Sequence, residues 1–294
     1  MTADDIATAV QLACLLEASA PKPGNVSPGR PFHDTSYEDF VASAAAIGPV
    51  FRRAGAQPLG DTILAAVEAT RRWTPANTNL GIVLLCAPLA RAAAGDAGRS
   101  LRDRVRDVLA TTTVEDARKV YAAIRRAAPG GLGTSPEQDV QAEPTIPLTG
   151  AMALAAQRDA VAAEYATAFE RTFTTGAPAV AAALEDGLGW SDAAVEAYLA
   201  LLAEHPDTLI ARKLGGDAAE QVRAGAARVR LEGGIRTDSG RAAVARLDAS
   251  LRDPRNRRNP GATADLTAAA LLVVILERRW PHACGAVAPV HQGR

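Results

Sequence analysis

Four polar segments of the chain contain most of the residues whose types and spacing could do chemistry. They are residues 17–34, 74–81, 129–143 and 255–265. Each adjoins a strongly apolar stretch with the residue pattern of a buried helix. If these stretches form the core, the four loops could meet at one end of the bundle, where loops on a rigid scaffold often carry function. We therefore predict a single site built from all four segments.

The segment NPGATAD, residues 259–265, has the pattern of a helix N-terminus that could bind an anion. Pro260 and Gly261 precede the predicted helix, and free N–H groups around Thr263 would attract negative charge. Asp265, one turn further on, could hold Mg²⁺ together with phosphate oxygens. Three basic residues stand just upstream: Arg255, Arg257 and Arg258. A polyphosphate fits this arrangement, but an ordinary proline-containing helix cap with a solvated basic flank explains the local sequence more simply.

The segment EASAPKPGNVSPGRPFHD, residues 17–34, contains four prolines and two glycines among its polar residues. Proline fixes φ and removes a backbone donor, so the segment cannot continue the helix before it. A rigid turn with this many polar groups indicates a site, whereas an ordinary proline-rich connection is the other interpretation. The local residues leave both open.

The remaining two segments carry weaker signals. Asn77 and Asn79 offer amides before a buried helix, although helix capping would explain them. Gly130 and Gly131 give flexible backbone that could approach a ligand. The acids that follow could bind metal or simply be solvated: Glu137, Asp139 and Glu143. The sequence has no GxxxxGK[ST], GxGxxG or GxSxG motif, and a neighbouring His33 and Asp34 are more often a surface pair.

Composition narrows the class of protein. Apolar residues make up 48% of the 294 but aromatic residues only 4%, so the core must consist of Ala, Leu and Val, which suits closely packed helices. A net charge of −1 gives the whole surface no attraction for nucleic acid or anionic membranes, and we expect small-molecule partners. Three distant cysteines make disulfides and zinc sites unexpected. An acidic N-terminus and a longest apolar run of residues 267–276 favour a cytoplasmic protein.

The hydrophobic spacing predicts an all-α fold of roughly a dozen helices in one compact domain, residues 1–280, with a loosely held tail at 281–294. Ala-rich apolar faces leave a homodimer open. The predicted helices are 3–19, 37–54, 61–73, 82–94, 100–110, 114–127, 148–172, 177–186, 191–204, 206–214, 216–231, 238–251 and 262–278.

Taken together, the motifs resemble the triphosphoribosyl-dephospho-CoA synthase family, and the resemblance covers nearly the whole chain. PKPGNV and NPGATADL are specific only in combination. The middle pieces APGGLG and AAQRDAVAAEYA are similar to family members outside the citrate-lyase operons. The matching stretches are residues 17–34, 39–47, 60–70, 77–90, 128–133, 155–166 and 259–271.

The resemblance implies an all-α enzyme that acts on ATP and 3′-dephospho-CoA. The 2′-hydroxyl of dephospho-CoA displaces adenine from C1 of the ATP ribose, and the triphosphate stays on the transferred sugar. Such a glycosyl transfer has an oxocarbenium-like transition state. It needs a carboxylate base, a proton donor for adenine, and Mg²⁺ with basic groups at the triphosphate.

The implied roles fall on the four segments. The candidates for the base are Glu17, Asp34 and Asp61, and those for metal ligands are Asp61, Asp139 and Asp265, with Asp159 a second-rank acid beside Asp139. The candidates for nucleotide binding are Lys22, Pro23, Gly24, Asn25, Asn77, Asn79, Gly81, Gly130, Gly131, Arg258, Asn259, Gly261 and Thr263.

One departure from the family pattern bears on the acceptor. In the citrate-lyase branch the segment at 77–81 reads Asn-Thr-His-Lys-Gly, and here Asn79 and Leu80 replace the His and Lys. The divergent branch is similar to proteins linked to tetrahydromethanopterin-type cofactor genes. A nucleotide-dependent enzyme acting on another cofactor precursor is therefore the second hypothesis, and a non-catalytic helical module is the third.

Overall fold

The computed structural model describes residues 1–278, which fold into fourteen α-helices in one compact domain without a β-strand. The predicted all-α class is confirmed. The helices are α1 Ala3–Ser19, α2 Tyr37–Phe51, α3 Leu59–Arg71, α4 Leu80–Ala93, α5 Leu101–Ala110, α6 Val114–Ala127, α7 Leu148–Ala155, α8 Ala160–Thr167, α9 Ala177–Glu185, α10 Trp190–Glu204, α11 Thr208–Leu214, α12 Gly216–Leu231, α13 Asp238–Leu251 and α14 Gly261–Arg278.

The centre of the fold is α14, which packs against α1, α4, α8, α9, α10 and α11. Its residues 268–273 are at most 1% exposed, so the helix is buried on every side. A helix that is apolar all round belongs in a core or a membrane. No helix within residues 1–278 is long and apolar enough to cross a membrane. The run at 267–276 is therefore the core of the bundle.

The small side chains of the core let its helices approach closely. A Cβ added to Gly176 would lie 2.8 Å from the Cβ of Ala270, so the backbones touch there. Cys14 on α1 and Cys86 on α4 are also buried in this core. Burial raises the pKa of the Cys14 thiol to about 12 and that of Cys86 well above its usual value. Both cysteines are inert packing residues.

The predicted long helix at 148–172 is wrong. It is divided into α7 and α8 because the carboxylate of Asp159 accepts a hydrogen bond from the amide of Ala162 and starts a new helix there. Ala168 and Phe169 then adopt positive φ angles of 50° and 59°, which end α8. A π-helical turn at Thr172–Gly176 leads into α9. The other predicted helices are present, with ends shifted by up to three residues.

The tertiary structure explains this division. Phe169 is fully buried, and the carboxylate of Glu164 accepts hydrogen bonds from the amides of Arg171 and Thr172 at 3.1 and 3.0 Å. Helix propensity alone could not show these contacts, since residues around the break are rich in Ala. The predicted tail, residues 281–294, lies outside the described residues.

Candidate functional site

The four polar segments line one cavity of about 900 Å³. Their predicted convergence is confirmed, and α6, α7, α8 and α11 complete the walls. Twelve of the predicted site residues line it: Glu17, Asn25, Asp34, Asn77, Asn79, Gly81, Gly130, Gly131, Asp139, Asn259, Gly261 and Asp265. The other predicted site residues lie outside its lining: Lys22, Pro23, Gly24, Asp61, Arg258 and Thr263.

Glu17, near the end of α1, is paired with Lys22 in the loop that follows. The Lys22 Nζ lies 2.9 Å from the Glu17 Oε1, and both side chains are buried. The same ammonium donates to the carbonyl oxygens of Glu17 and Ala20. Lys22 was predicted to bind phosphate, but its charge is turned into the protein, where it offsets that of Glu17. The lysine therefore holds the carboxylate rather than a ligand.

Three cavity residues have a buried polar atom with no hydrogen-bond partner among the described residues. These atoms are Glu17 Oε2, Arg212 Nε and Asn259 Oδ1, and they account for three of the five such atoms found within residues 1–278. Buried polar groups in folded proteins are ordinarily hydrogen-bonded. The residues of this cavity thus contain polar atoms whose hydrogen-bonding capacity the described residues leave unused.

Asp265, in the second turn of α14, presents a second carboxylate to the cavity beside Gly81. A Cβ on Gly81 would lie 2.0 Å from the Asp265 Oδ2, so only glycine allows the carboxylate this close to the α4 backbone. Burial and the nearby charges of Glu17 and Asp207 raise the pKa of Asp265 well above its usual range. The charged form of the Asp265 carboxylate is therefore disfavoured unless a cation lies beside it.

The N-terminus of α14 binds a negatively charged group as predicted, but that group is a side-chain carboxylate of the protein itself. The Asp207 Oδ2 accepts hydrogen bonds from the amide and the hydroxyl of Thr263, both at 2.8 Å. Its Oδ1 also accepts from the amides of Leu209 and Ile210. Burial raises the pKa of Asp207, while these donors oppose the rise. The predicted phosphate contact at Thr263 is therefore wrong, because an internal carboxylate occupies it.

Cations from other elements line the cavity instead: Arg158, Arg212, Lys213 and Arg255. Arg212 on α11 forms an ion pair with Asp159. Burial and the charge of Arg212 lower the pKa of Lys213. Arg212 and Lys213 carry no signal of a site in the sequence, since basic residues in the last turn of a helix are common and stabilise its dipole. Only their position against the cavity reveals them.

The three predicted metal ligands are not brought together. The Asp139 carboxylate accepts hydrogen bonds from the amides of Ser135 and Gln141 at 2.6 and 2.8 Å, so it braces its own loop. Asp61 is half exposed and lies 3.4 Å from the Lys119 Nζ. No group of three or more His, Cys, Asp or Glu in the described part of the chain could hold a metal ion by itself. Asp139 and Asp265 both line the cavity, whereas Asp61 lies outside it.

Asp34 lies at the cavity beside His33, with its Oδ2 3.6 Å from the His33 Nε2. Both side chains are more than half exposed, as expected of a surface pair. Asn77 caps α4 by accepting from the amide of Leu80 at 3.3 Å. Asn79 donates to the hydroxyl of Thr70 at 3.0 Å. These asparagines thus serve local structure at the same place where they line the cavity.

Fold and cavity together define a single-domain all-α protein with a large cavity that is lined by charged, amide and apolar side chains. The sequence model of the ATP:dephospho-CoA triphosphoribosyl transferase family matches residues 3–283. The chain belongs to this family and is a transferase of the triphosphoribosyl-dephospho-CoA synthase type. Among curated proteins no match was found.

A solved structure supports this assignment. The chain is 28% identical to a crystal structure from Archaeoglobus fulgidus that carries the provisional name triphosphoribosyl-dephospho-CoA synthase, with a TM-score of 0.63. The similarity covers 81% of this chain and 98% of the other. The predicted family and enzyme class are confirmed, which disfavours a non-catalytic module.

Proposed function

We propose that this enzyme joins the 2′-hydroxyl of 3′-dephospho-CoA to C1 of the ATP ribose and releases adenine. The C1–N bond to adenine breaks, a C1–O bond to the acceptor forms, and the triphosphate stays on the transferred ribose. The observation that carries the proposal is the cavity itself, which combines the carboxylates of Glu17 and Asp265 with four cationic side chains. Family membership supports the reaction type.

Glu17 is our candidate for the base. Glu17 lines the cavity; its Oε1 is held by Lys22, whereas its Oε2 is buried and has no hydrogen-bond partner among the described residues. An oxygen in that position can take the proton of an acceptor hydroxyl. Lys22 would keep the side chain oriented during the transfer, because the ion pair is buried and loses little to solvent screening.

The triphosphate would bind along the cations of α11 and the neighbouring loops. Arg212 and Lys213 come from α11, Arg158 from the turn after α7, and Arg255 from the loop before α14. A guanidinium group can donate two parallel hydrogen bonds to two oxygens of one phosphate. Two or more arginines can therefore hold a polyphosphate in one orientation. With Thr263 bound to Asp207, these side chains are the sources of positive charge that the cavity offers.

Asp265 is our candidate ligand for Mg²⁺. Magnesium in nucleotide sites is commonly held by one or two carboxylates plus phosphate oxygens, so a three-residue cluster is not required. Burial, together with the nearby carboxylates of Glu17 and Asp207, raises the pKa of Asp265, and a bound cation would favour its charged form. When bound there, Mg²⁺ would offset the charge of the triphosphate.

A different acceptor is the second candidate. Leu80, which stands where the citrate-lyase branch has a lysine, lines the cavity and is 8% exposed. An apolar side chain there removes a cation from the wall of α4. A precursor of a tetrahydromethanopterin-type cofactor is the alternative that sequence resemblance implies. Incubation of the enzyme with ATP and a panel of CoA-type and pterin-type acceptors separates the two.

Adenine release from ATP, followed by chromatography, tests the proposal. We expect release that requires both Mg²⁺ and dephospho-CoA, and we expect Glu17→Gln to reduce it by about a hundredfold or more, because a general base typically contributes this much. Absence of adenine with every acceptor of either class would refute glycosyl transfer from ATP. Asp61→Asn is the matched control, since Asp61 lies outside the cavity.

The role of Asp265 has a readout that does not depend on turnover. ATP with Mg²⁺ should raise the melting temperature of the wild type, because a ligand that binds only the folded state stabilises it. In Asp265→Asn the additional rise caused by Mg²⁺ over ATP alone should disappear. An equal Mg²⁺ effect in both proteins would place the metal elsewhere.

A further inference from the structure

The carboxylate of Asp248, one turn before the end of α13, joins that helix to the loop after α1. The amide of Gly24 donates to its Oδ1 at 2.8 Å across 224 residues of sequence. The guanidinium of Arg252 lies 2.9 Å from the same carboxylate and donates to the carbonyl of Asn25 at 2.8 Å. Asp248 and Arg252 thus hold the backbone on both sides of the Gly24–Asn25 peptide bond.

A second arginine extends this contact. The Nη1 of Arg30 lies 2.8 Å from the Asp248 Oδ2, so one carboxylate binds both the start and the end of the turn. Asp248 is 7% exposed, and it is paired with two cations and a backbone donor. Charge-assisted hydrogen bonds of this kind are about twice as strong as neutral ones.

The loop could not dock here with a side chain at position 24. Gly24 has a φ of +74°, and a Cβ on it would lie 2.9 Å from the Leu251 Cβ and 3.1 Å from the Pro260 Cδ. The backbone of the loop therefore packs directly on the end of α13 and on the residue before α14. This contact joins the opening loop to the last of the four polar segments.

The docked loop contributes residues to the lining of the cavity, whereas the side chains that hold the loop in place do not. Asn25 and Val26 of the loop line the cavity, whereas Asp248, Arg252 and Arg30 are absent from its lining. The hydroxyl of Tyr198 donates to the Pro23 carbonyl and accepts from the side-chain amide of Asn25, so it supports the loop from α10. A change at Asp248 would reach a ligand only by moving the loop.

We propose that Asp248 is a positioning residue for the nucleotide cavity. Through Gly24, Arg252 and Arg30 it fixes the segment that carries Asn25 and that follows the Glu17–Lys22 pair. This inference rests on the proposed function, because the ligand is taken to be ATP. Asp248 itself touches neither substrate nor reacting atoms.

The test compares Asp248→Asn with Glu196→Gln in the full-length enzyme. Glu196 is a matched control, since it is 8% exposed, accepts from the amide of Ile235 and pairs with Arg236, yet lies outside the cavity lining. Both changes remove a buried charge, so both should lower the melting temperature. Only Asp248→Asn should lower kcat/KM for ATP, by about tenfold to a hundredfold, because displacements of about 1 Å have such effects.

Isothermal titration with ATP supplies a readout that does not depend on turnover, and Asp248→Asn should bind ATP more weakly than Glu196→Gln does. If Asp248→Asn fails to fold, Arg252→Gln removes the bond to the Asn25 carbonyl while the carboxylate stays, and it should shift kcat/KM in the same direction. Equal kcat/KM and equal affinity for ATP in Asp248→Asn and Glu196→Gln would overturn the inference. If Asp248→Asn does not fold, an Arg252→Gln enzyme with the kcat/KM of the wild type would overturn it as well.

The same experiments separate this inference from the proposed function. A wild type that binds ATP but releases no adenine with any acceptor contradicts the proposed reaction, and the affinities still decide the role of Asp248. A wild type that neither binds ATP nor releases adenine overturns both.

Discussion

Two loops of similar composition line the cavity, but they differ in burial. Residues 22–27 are all buried, whereas none of residues 129–143 is. Both are rich in Pro, Gly and polar residues. The first loop is held by Asp248 and Tyr198, which lie far away in sequence. The second is braced within itself through Asp139. It is also contacted by Arg118, Tyr121 and Arg125 of α6 and by Arg158 of the turn after α7.

This difference shows that composition does not decide whether a polar loop is rigid. Gly24 has neighbours within about 3 Å of where a Cβ would be, but a Cβ on Gly130 or Gly133 would meet nothing within 4 Å. The long-range partners of the first loop make it part of the core. The open loop keeps room to adapt to a ligand, since it has few buried contacts to break.

Among the variants that test this comparison of the two loops, Lys22→Met should lower the free energy of unfolding most. It leaves the Glu17 carboxylate buried without its partner, and removal of one member of a buried ion pair typically costs about 3–5 kcal/mol. Denaturant unfolding measures this loss. The double variant Glu17→Gln/Lys22→Met should recover most of it, and a double variant no more stable than the single one would contradict the argument.

A solvent-exposed pair provides the control for this prediction. Lys119 and Asp61 are 38% and 45% exposed in their side chains. Exposed ion pairs contribute about 0–1 kcal/mol, so Lys119→Met should change the free energy of unfolding by no more than that.

Gly24→Ala should have the next largest effect. The positive φ costs an alanine about 1–2 kcal/mol, and the contacts with Leu251 and Pro260 add about 1–3 kcal/mol of overpacking. Gly130→Ala should leave the free energy of unfolding within about 0.5 kcal/mol of wild type, because its Cβ meets open space. Equal losses in the two variants, measured by thermal unfolding, would remove the distinction between the loops.

Acidification should loosen the open loop while the global fold persists. The amides of Gln141 and Ser135 lower the pKa of the Asp139 carboxyl. Its stabilisation is therefore present above the ordinary carboxyl pKa and is lost as pH falls through the lowered one. Amide NMR shifts of Ser135 and Gln141 should move in this acidic range, and Asp139→Asn should produce the acidic shifts at neutral pH. Unchanged amide shifts in that variant would show that the carboxylate does not brace the loop.

The fold was predictable wherever local signals define a helix. Both α1 and α6 have the bounds that the sequence predicts, since each starts with a capping box, Thr2 with Asp5 and Thr113 with Asp116. The division between α7 and α8 was not predictable, because it depends on where Phe169 is buried and on what Glu164 binds. Such contacts join parts of the chain whose proximity sequence patterns do not show.

The site was predictable as a region but not in its roles. The four segments were found because Pro, Gly and charged residues interrupt apolar helices. Lys22 and Thr263 were predicted to bind phosphate. In sequence, a lysine or a helix N-terminus looks the same whether its partner is a ligand or a carboxylate of the protein. The structure shows that Lys22 pairs with Glu17 and that Thr263 donates to Asp207.

The central position of α14 has a consequence for how the protein is made. The helix that fills the core is the last one described, and it packs against the first, α1. During synthesis at about 5–20 residues per second, α1 waits for on the order of tens of seconds before its partner emerges. Until then the faces of α1, α4 and α10 that pack on α14 are exposed to water. We therefore expect a chain cut before α14 to aggregate rather than fold, because apolar surface exposed in this way promotes association.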